Sequence, residues 1–340
     1  MRKHFWLLLL LLPGSFFSTS AQFIKIDSVN FFKDDKTIEM TLATDFKRLF
    51  ADKLKMTPQP ATVTFHFPDS SSFTEDITIN ARGITRKESC KMPPIMLNFK
   101  SPSSDKLKKI KMVNACESNA EADMLLLKEF LVYKMYNLLT DMSFRVRLLH
   151  VTYQDTKDKI KAYSEYGFLI EDVDVMAKRN HCKEVNKTAF RTEDTHRDQM
   201  TLVALFEYMV GNTDWSIPNY HNVKLMRTAG ETNTPPYVVP YDFDYCGIVN
   251  AYYAVPSELL GTQSVTERVY RGFPRTMDEL QIALDNFRKQ KENTKNLIMN
   301  FTPMGTKYRK EMMDYLDEFY KTIENKKDIQ MTFIDGARKD

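Results

Sequence analysis

The chain has 340 residues, of which 43% are hydrophobic and 12% aromatic, so it can form one large domain or two modest ones with full cores. Its formal net charge is only +3 and no long basic run occurs, which argues against nucleic acid as a partner. Ten glycines exclude collagen-like or glycine-rich disordered character. We therefore expect a folded, soluble, nearly neutral protein.

Residues 1–21 are typical of a secretory signal peptide. Arg2 and Lys3 precede a continuous apolar stretch at residues 6–12, and small residues at 18–21 precede a predicted cleavage site. The apolar stretch is shorter than the about 20 residues of a membrane span, and an uncleaved anchor is the alternative. We predict export to the periplasm, the cell surface or the medium, with no membrane span after cleavage.

From residue 22 to about residue 113 the chain is predicted to be mainly β. Apolar and polar residues alternate at residues 37–42 and 62–67, and a strand at 73–80 returns after a turn. Two further strands are predicted at residues 95–99 and 109–113.

The pattern then changes to helices joined by one strand pair. Asn119 can cap a helix that runs to about Leu139, and a strand pair follows at residues 144–153 and 161–170. Helices are predicted beyond it at residues 197–210, 276–301 and 306–323. The order predicts an α+β, two-lobed architecture, with a β-rich lobe and one inserted helix at 22–170 and a mainly helical lobe at 171–340.

Four cysteines remain after the signal segment: Cys90, Cys116, Cys182 and Cys246. In an exported protein an even number allows disulfides, and four cysteines have three full pairings. Cys90 and Cys116 flank two predicted neighbouring strands, which favours that pair, whereas nothing local supports a bond between Cys182 and Cys246. No CxxC or His-x-x-x-His spacing supports a zinc site.

The densest polar constellation follows the helix predicted at residues 197–210. Its loop carries Asp214, Asn219 and Asn222, and a predicted hairpin leads from there to Asp242 and Asp244. A hairpin between the two loops would place both at one end. Carboxylate and amide oxygens without His or Cys suit Mg²⁺, which usually binds through one or two carboxylates plus substrate phosphates.

These motifs resemble the spore-coat protein H (CotH) kinase-like family. Residues 211–214 (Gly-Asn-Thr-Asp) with Asn222 resemble its Gly-Asn-x-Asp…Asn loop, and residues 240–244 (Pro-Tyr-Asp-Phe-Asp) resemble its Asp-x-Asp metal segment. Arg82-Gly83 and residues 169–174 resemble two further landmarks. The resemblance covers about residues 76–247 and implies a two-lobed, atypical protein-kinase-like fold that uses ATP and Mg²⁺.

Carried over residue by residue, the resemblance implies roles for the polar constellation. Asp214 would be the catalytic-loop aspartate, and Asn222 a metal ligand. Asp242 would be the principal Mg²⁺ ligand, with Asp244 as a second ligand or an orienting group. Asn219 remains an alternative to Asn222, because its spacing from Asp214 is that of ordinary protein kinases.

The residues that would grip the nucleotide phosphates are less sharply defined. In protein kinases a strand lysine pairs with a glutamate of the next helix, which makes Lys111 and Glu129 the candidates here. Arg82, with Arg86 in the same segment, is the alternative phosphate ligand.

The leading hypothesis is an exported Mg²⁺-dependent phosphotransferase that moves phosphate from ATP to a hydroxyl of a secreted or cell-surface protein. The alternative is a catalytically weak, pseudokinase-like binding or scaffolding module. No glycine-rich loop is present in the β-rich part, and Pro93-Pro94 stands where relatives tend to have lysines, which favours the alternative. A metal-dependent hydrolase ranks last, because no His ligand, Gly-x-Ser-x-Gly elbow or Walker loop accompanies the carboxylates.

Overall fold

A computed structural model of the chain describes residues 22–23, 30–100, 108–185 and 190–339. The predicted signal peptide lies outside these residues. The strands are β1 (Gln22–Phe23), β2 (Ile38–Thr44), β3 (Gln59–His66), β4 (Ser71–Ala81), β5 (Ile95–Asn98), β6 (Lys109–Asn114), β7 (Val146–Asp155), β8 (Tyr163–Ile170), β9 (Cys182–Glu184), β10 (Val223–Thr228) and β11 (Tyr237–Pro240). The helices are α1 (Phe46–Asp52), α2 (Thr85–Ser89), α3 (Ala120–Leu139), α4 (Val173–Arg179), α5 (Arg197–Val210), α6 (Met277–Met299), α7 (Thr306–Glu324) and α8 (Lys326–Ile329).

Seven strands of the β-rich part form a sheet that closes on itself. The order is β4-β3-β2-β7-β8-β6-β5, and β5 pairs again with β4, while β1 adds to β4 from outside. Within the ring only β2 and β7 run parallel, with Ile38 opposite Leu149. Alternate residues of β2 to β7, such as Val63 and Ile79, form one buried cluster, to which β8 adds Leu169. The α+β class is confirmed, but the closed sheet was not predicted and is not the usual kinase N-lobe.

A second core connects this sheet with the helical part. Helix α3 packs on β7 and β8 and on α6, and the rings of Tyr133 and Phe168 lie 5.7 Å apart. As predicted, Asn119 caps α3: its side chain accepts a hydrogen bond from the N–H of Ala122. The same core extends through α5, α6 and α7. Helix α3 thus lies between the sheet and the helical part, and it also contacts the segment after β11, where Tyr133 packs against Phe243.

The long predicted helices are confirmed, and several short elements were missed. Helix α5 has the predicted bounds, and α6 and α7 differ from the prediction by a few residues. Helix α4 was not predicted; it begins at Val173, where the Asp172 side chain caps it by accepting a hydrogen bond from the N–H of Asp174. The predicted hairpin forms: β10 and β11 are antiparallel, with Val223 opposite Pro240, and β9 adds to β10.

The predicted disulfide between Cys90 and Cys116 is present. It joins the end of α2 to the segment after β6, so α2 is attached covalently beside the C-terminal end of that strand. Cys182 and Cys246 are both buried free thiols. Among the helices of the four described ranges, none combines the length and the apolarity that crossing a membrane requires.

Candidate active site

Asp214, Asn222 and Asp242 lie at one end of the β10–β11 hairpin. Helix α5 ends at Gly211, whose φ of 69° is left-handed and therefore favours glycine. The carbonyl of Asn222 accepts a hydrogen bond from the N–H of Tyr241 at 3.0 Å, which brings the Asp214 loop beside the residue before Asp242. The two loops therefore lie at the same end of the hairpin, as predicted from the sequence.

The Asp214 carboxylate is held by two neighbouring side chains. His221 Nε2 lies 2.8 Å from Oδ1, and Asn222 Nδ2 donates to Oδ2 at 3.0 Å and to the main-chain oxygen of Asp214 at 2.8 Å. Asn219 is exposed, and its N–H faces Ser216 Oγ instead. Between the two asparagines left open by the sequence, Asn222 is the one that contacts Asp214.

Asp242 and Asp244 lie beside helix α3. Asp242 has a left-handed backbone, with φ 66°, and its N–H donates to Tyr133 Oη at 2.8 Å. Phe243 packs edge-on against Tyr133, with 4.8 Å between ring centres. Asp244 is 5% exposed and accepts a hydrogen bond from Tyr253 Oη at 3.2 Å. No residue of the described ranges donates a hydrogen bond to the Asp242 carboxylate.

The carboxylates of this region share one electrostatic environment. Burial raises the pKa of Asp244 to about 7, and the charges of Asp242 and Asp214 raise it too, against the opposing charge of Arg86. In the described part of the chain, no three or more His, Cys, Asp or Glu side chains are grouped to hold a metal ion. Mg²⁺ does not need such a group, because phosphate oxygens and waters usually complete its coordination.

Two cations that have no counter-ion in the described part of the chain lie near Asp242. The Arg82 guanidinium, just after β4, has no hydrogen bond or ion pair to any described residue, and its Nε is buried. Lys111 on β6 likewise has no ion pair there, and its Nζ lies 5.9 Å from the ring centre of Tyr241. Burial lowers the pKa of both cations; the charge of Asp242 opposes that change at Arg82, and the charges of Asp172 and Asp242 oppose it at Lys111. Arg82 and Lys111 are half-buried, and cations withdrawn from water without a partner are unfavourable unless an anion binds there.

Glu129 has a different partner from the one that the resemblance implies. Its Oε2 lies 3.6 Å from Arg86 Nη1, and Arg86 Nη2 donates to the carbonyl of Asn114 at 2.8 Å. Glu129 is 2% exposed, and burial raises its pKa. Arg86 reaches it because the disulfide holds α2 against the end of β6, whereas Lys111 extends towards Tyr241.

Two residues of the site, His221 and Tyr133, were not predicted from the sequence. His221 directly precedes Asn222, and Tyr133 lies one helical turn after Glu129. Each is therefore a neighbour of a residue that was predicted to belong to the site, and this nearness is the only signal that the sequence offers for them. His221 contacts Asp214 within its own loop. The contact of Tyr133 with the Asp242 N–H depends on the packing of α3 against residues 241–244, and no local pattern carries that information.

Comparisons with known proteins add little. No protein-family model and no curated protein matches the chain. Among solved structures, the crystal structure of the Helicobacter pylori proinflammatory kinase CtkA is similar over 80% of this chain and 92% of that chain, with 10% identity and a TM-score of 0.39. A similarity of that size establishes no function, so a function has to be argued from this chain's own residues.

Proposed function

We propose that the chain is an exported Mg²⁺-dependent phosphotransferase that transfers phosphate from ATP to a hydroxyl of a secreted or cell-surface protein. The observation that carries the proposal is a group of three side chains: the cations Arg82 and Lys111, which have no counter-ion among the described residues, and beside them the Asp242 carboxylate, which accepts no hydrogen bond from those residues. Guanidinium and ammonium groups bind phosphate oxygens, and a carboxylate binds the Mg²⁺ that accompanies them.

The residues present fit a bound Mg²⁺. Asp242 would hold it, with Asp244 and the amide oxygen of Asn222 as further ligands. Because Asn222 Nδ2 donates to Asp214, its Oδ1 is the atom left for a metal. When bound, the ion would neutralise part of the charge on the phosphates. Arg82 and Lys111 would hold the phosphate oxygens from the opposite, β-rich side.

Asp214 is suited to bind the acceptor hydroxyl. Its side chain is 38% exposed, and His221 and Asn222 fix the direction of its two oxygens. In the proposed step the acceptor oxygen forms a bond to the γ-phosphorus of ATP, and the bond from that phosphorus to the ADP oxygen breaks. ADP leaves with the electron pair, and the hydroxyl proton passes to Asp214.

A pseudokinase-like binding module is the second candidate. Its supporting observation is that Lys111 has no acidic partner among the described residues, since Glu129 pairs with Arg86. In protein kinases the lysine–glutamate pair must be in place for transfer. Such a module would bind nucleotide through the same residues and transfer no phosphate.

Titration of the full chain with ATP, with and without Mg²⁺, tests the proposal. We expect Mg²⁺-dependent binding that weakens about tenfold or more in Asp242→Asn and in Lys111→Met, or by about 1.4 kcal/mol. Lys109→Met is the matched control, because Lys109 is exposed and lies on the same strand two residues away. Absence of binding at millimolar ATP, or equal binding by all variants, would contradict the proposal. Binding without transfer to any secreted protein would favour the second candidate.

A further inference from the structure

The loop that carries Asp214 is held by an arginine from far along the chain. Arg271 Nη1 donates to the main-chain oxygens of Thr213 at 2.8 Å and of Trp215 at 2.7 Å. These two residues flank Asp214 on either side. The guanidinium also lies over the Trp215 ring, 4.5 Å from its centre. One side chain therefore fixes the backbone immediately before and after Asp214.

A second set of contacts holds the same loop from helix α5. Asn212 Oδ1 accepts a hydrogen bond from the N–H of Asp214 at 2.9 Å, and the N–H of Asn212 donates to the carbonyl of Glu207 at 2.8 Å. Asn212 and Trp215 are 2% and 3% exposed. Asn212 thus holds the N–H of Asp214, and Arg271 holds the carbonyls of the residues before and after it. Together these contacts fix the direction of the Asp214 side chain.

We propose that Arg271 is the positioning residue of Asp214, which it aims at the acceptor without contacting any reactant. The role rests on the proposed function, since only there does Asp214 bind the acceptor hydroxyl. It needs a guanidinium, because a planar group can donate to two carbonyls while it stacks on an indole ring, whereas an ammonium cannot stack in this way. Loss of these contacts would free the loop without touching Arg82, Lys111 or Asp242.

Arg268 provides a matched control within the same segment. Its Nε donates to the carbonyl of Met209, its Nη2 donates to the carbonyl of Tyr315, and its guanidinium lies 3.6 Å from the centre of the Tyr315 ring. Arg268 thus also binds two carbonyls and stacks on an aromatic ring. None of these contacts involves residues 212–215. Arg268→Lys therefore measures the loss of stability that follows when an arginine of this kind is replaced, without a direct effect on the Asp214 loop.

A spectroscopic measurement tests the loop contact without any reference to catalysis. Trp6 and Trp215 are the two tryptophans of the chain, so Trp6→Phe in the full chain leaves Trp215 as the single emitter. In this background we expect Arg271→Lys and Arg271→Gln to shift emission to the red and to raise acrylamide quenching about twofold. Arg268→Lys should leave both signals unchanged. Equal Trp215 signals in the wild type and both Arg271 variants would overturn the proposal.

A kinetic measurement then tests the link to Asp214. We expect Arg271→Lys to lower kcat of phosphate transfer about 100-fold while the Kd for Mg²⁺·ATP changes less than about twofold. Arg268→Lys should lower Tm and retain kcat. Unchanged kcat in Arg271→Lys, or an equal loss of nucleotide affinity, would refute the positioning role. If the wild type transfers no phosphate, the proposed function fails, and the Trp215 signals alone decide whether Arg271 holds the loop.

Discussion

Replacing Glu207 by glutamine should stabilise the protein at high pH and change it little at low pH. Glu207 lies on α5 beneath the Asp214 loop, is 1% exposed, and neither of its oxygens has a hydrogen-bond partner among the described residues. Burial raises the pKa of its carboxyl to about 8 against the lowering effects of the neighbouring Asn212 amide and of the Arg271 charge, and the charge of Asp214 raises it further. The folded protein therefore favours the neutral acid, which glutamine resembles.

The sign and size of the effect follow from the two pKa values. A glutamate in the unfolded chain titrates near 4.5, so between pH 4.5 and about 8 the folded state binds the proton more tightly than the unfolded state. The free energy of unfolding of the wild type therefore falls as the pH rises through this window. At about 1.4 kcal/mol for each pH unit, the loss between pH 5 and pH 9 is about 4 kcal/mol.

Urea unfolding of the wild type and Glu207→Gln at pH 5, 7 and 9 measures this difference. The variant should gain stability relative to the wild type by about 1 kcal/mol at pH 5, about 3 at pH 7 and about 4 to 5 at pH 9. Glu292→Gln is the control, because Glu292 is exposed on α6 and its charge is in water in both states. A constant difference between the wild type and Glu207→Gln at all three pH values would refute the reasoning.

Two further predictions concern the scaffold of the site. Replacing both Cys90 and Cys116 by serine removes the disulfide, which closes a loop with a sequence separation of 26. The free energy of unfolding, measured by calorimetry, should fall by about 3 kcal/mol. Reductant should lower the Tm of the wild type and leave that of the variant unchanged. Tyr133→Phe removes the acceptor of the Asp242 N–H and should cost about 1 to 2 kcal/mol and weaken Mg²⁺·ATP binding. Tyr153→Phe is the control for Tyr133→Phe: it removes a buried hydroxyl that has no partner among the described residues, and it should cost nothing in urea unfolding.

Local signals predicted the long elements of this fold well. Helix α5 has an apolar face and ends at a glycine, and α3 has a good N-cap in Asn119, so their bounds follow from neighbouring residues. The helices α1, α2 and α4 and the strand β9 have at most seven residues each. Segments of that length contain too few turns or alternations to show a period, and they were missed.

The closure of the sheet could not be predicted from local patterns. It depends on β5 pairing with both β6 and β4, and on the parallel contact between β2 and β7, which are far apart in the chain. Alternation of apolar and polar residues predicts that a strand buries one face. The same alternation occurs in closed and in open sheets, so it does not distinguish them.

The same limit applies to the site. One hairpin connects the Asp214 loop to Asp242, so a local signal was enough to place them together. The partner of Glu129 depends on the disulfide that holds α2, and the Arg271 contact joins segments separated by more than fifty residues. Such contacts are set by tertiary packing, which a single sequence does not display.

The most direct test of the central claim is a crystal structure of the protein with Mn²⁺ and a non-hydrolysable ATP analogue. We predict anomalous density for the metal about 2.2 Å from a carboxylate oxygen of Asp242, close to the distance expected for Mg²⁺. The phosphate oxygens should lie within hydrogen-bond distance of Arg82 and Lys111. A nucleotide bound elsewhere, or a metal that does not contact Asp242, would contradict the account.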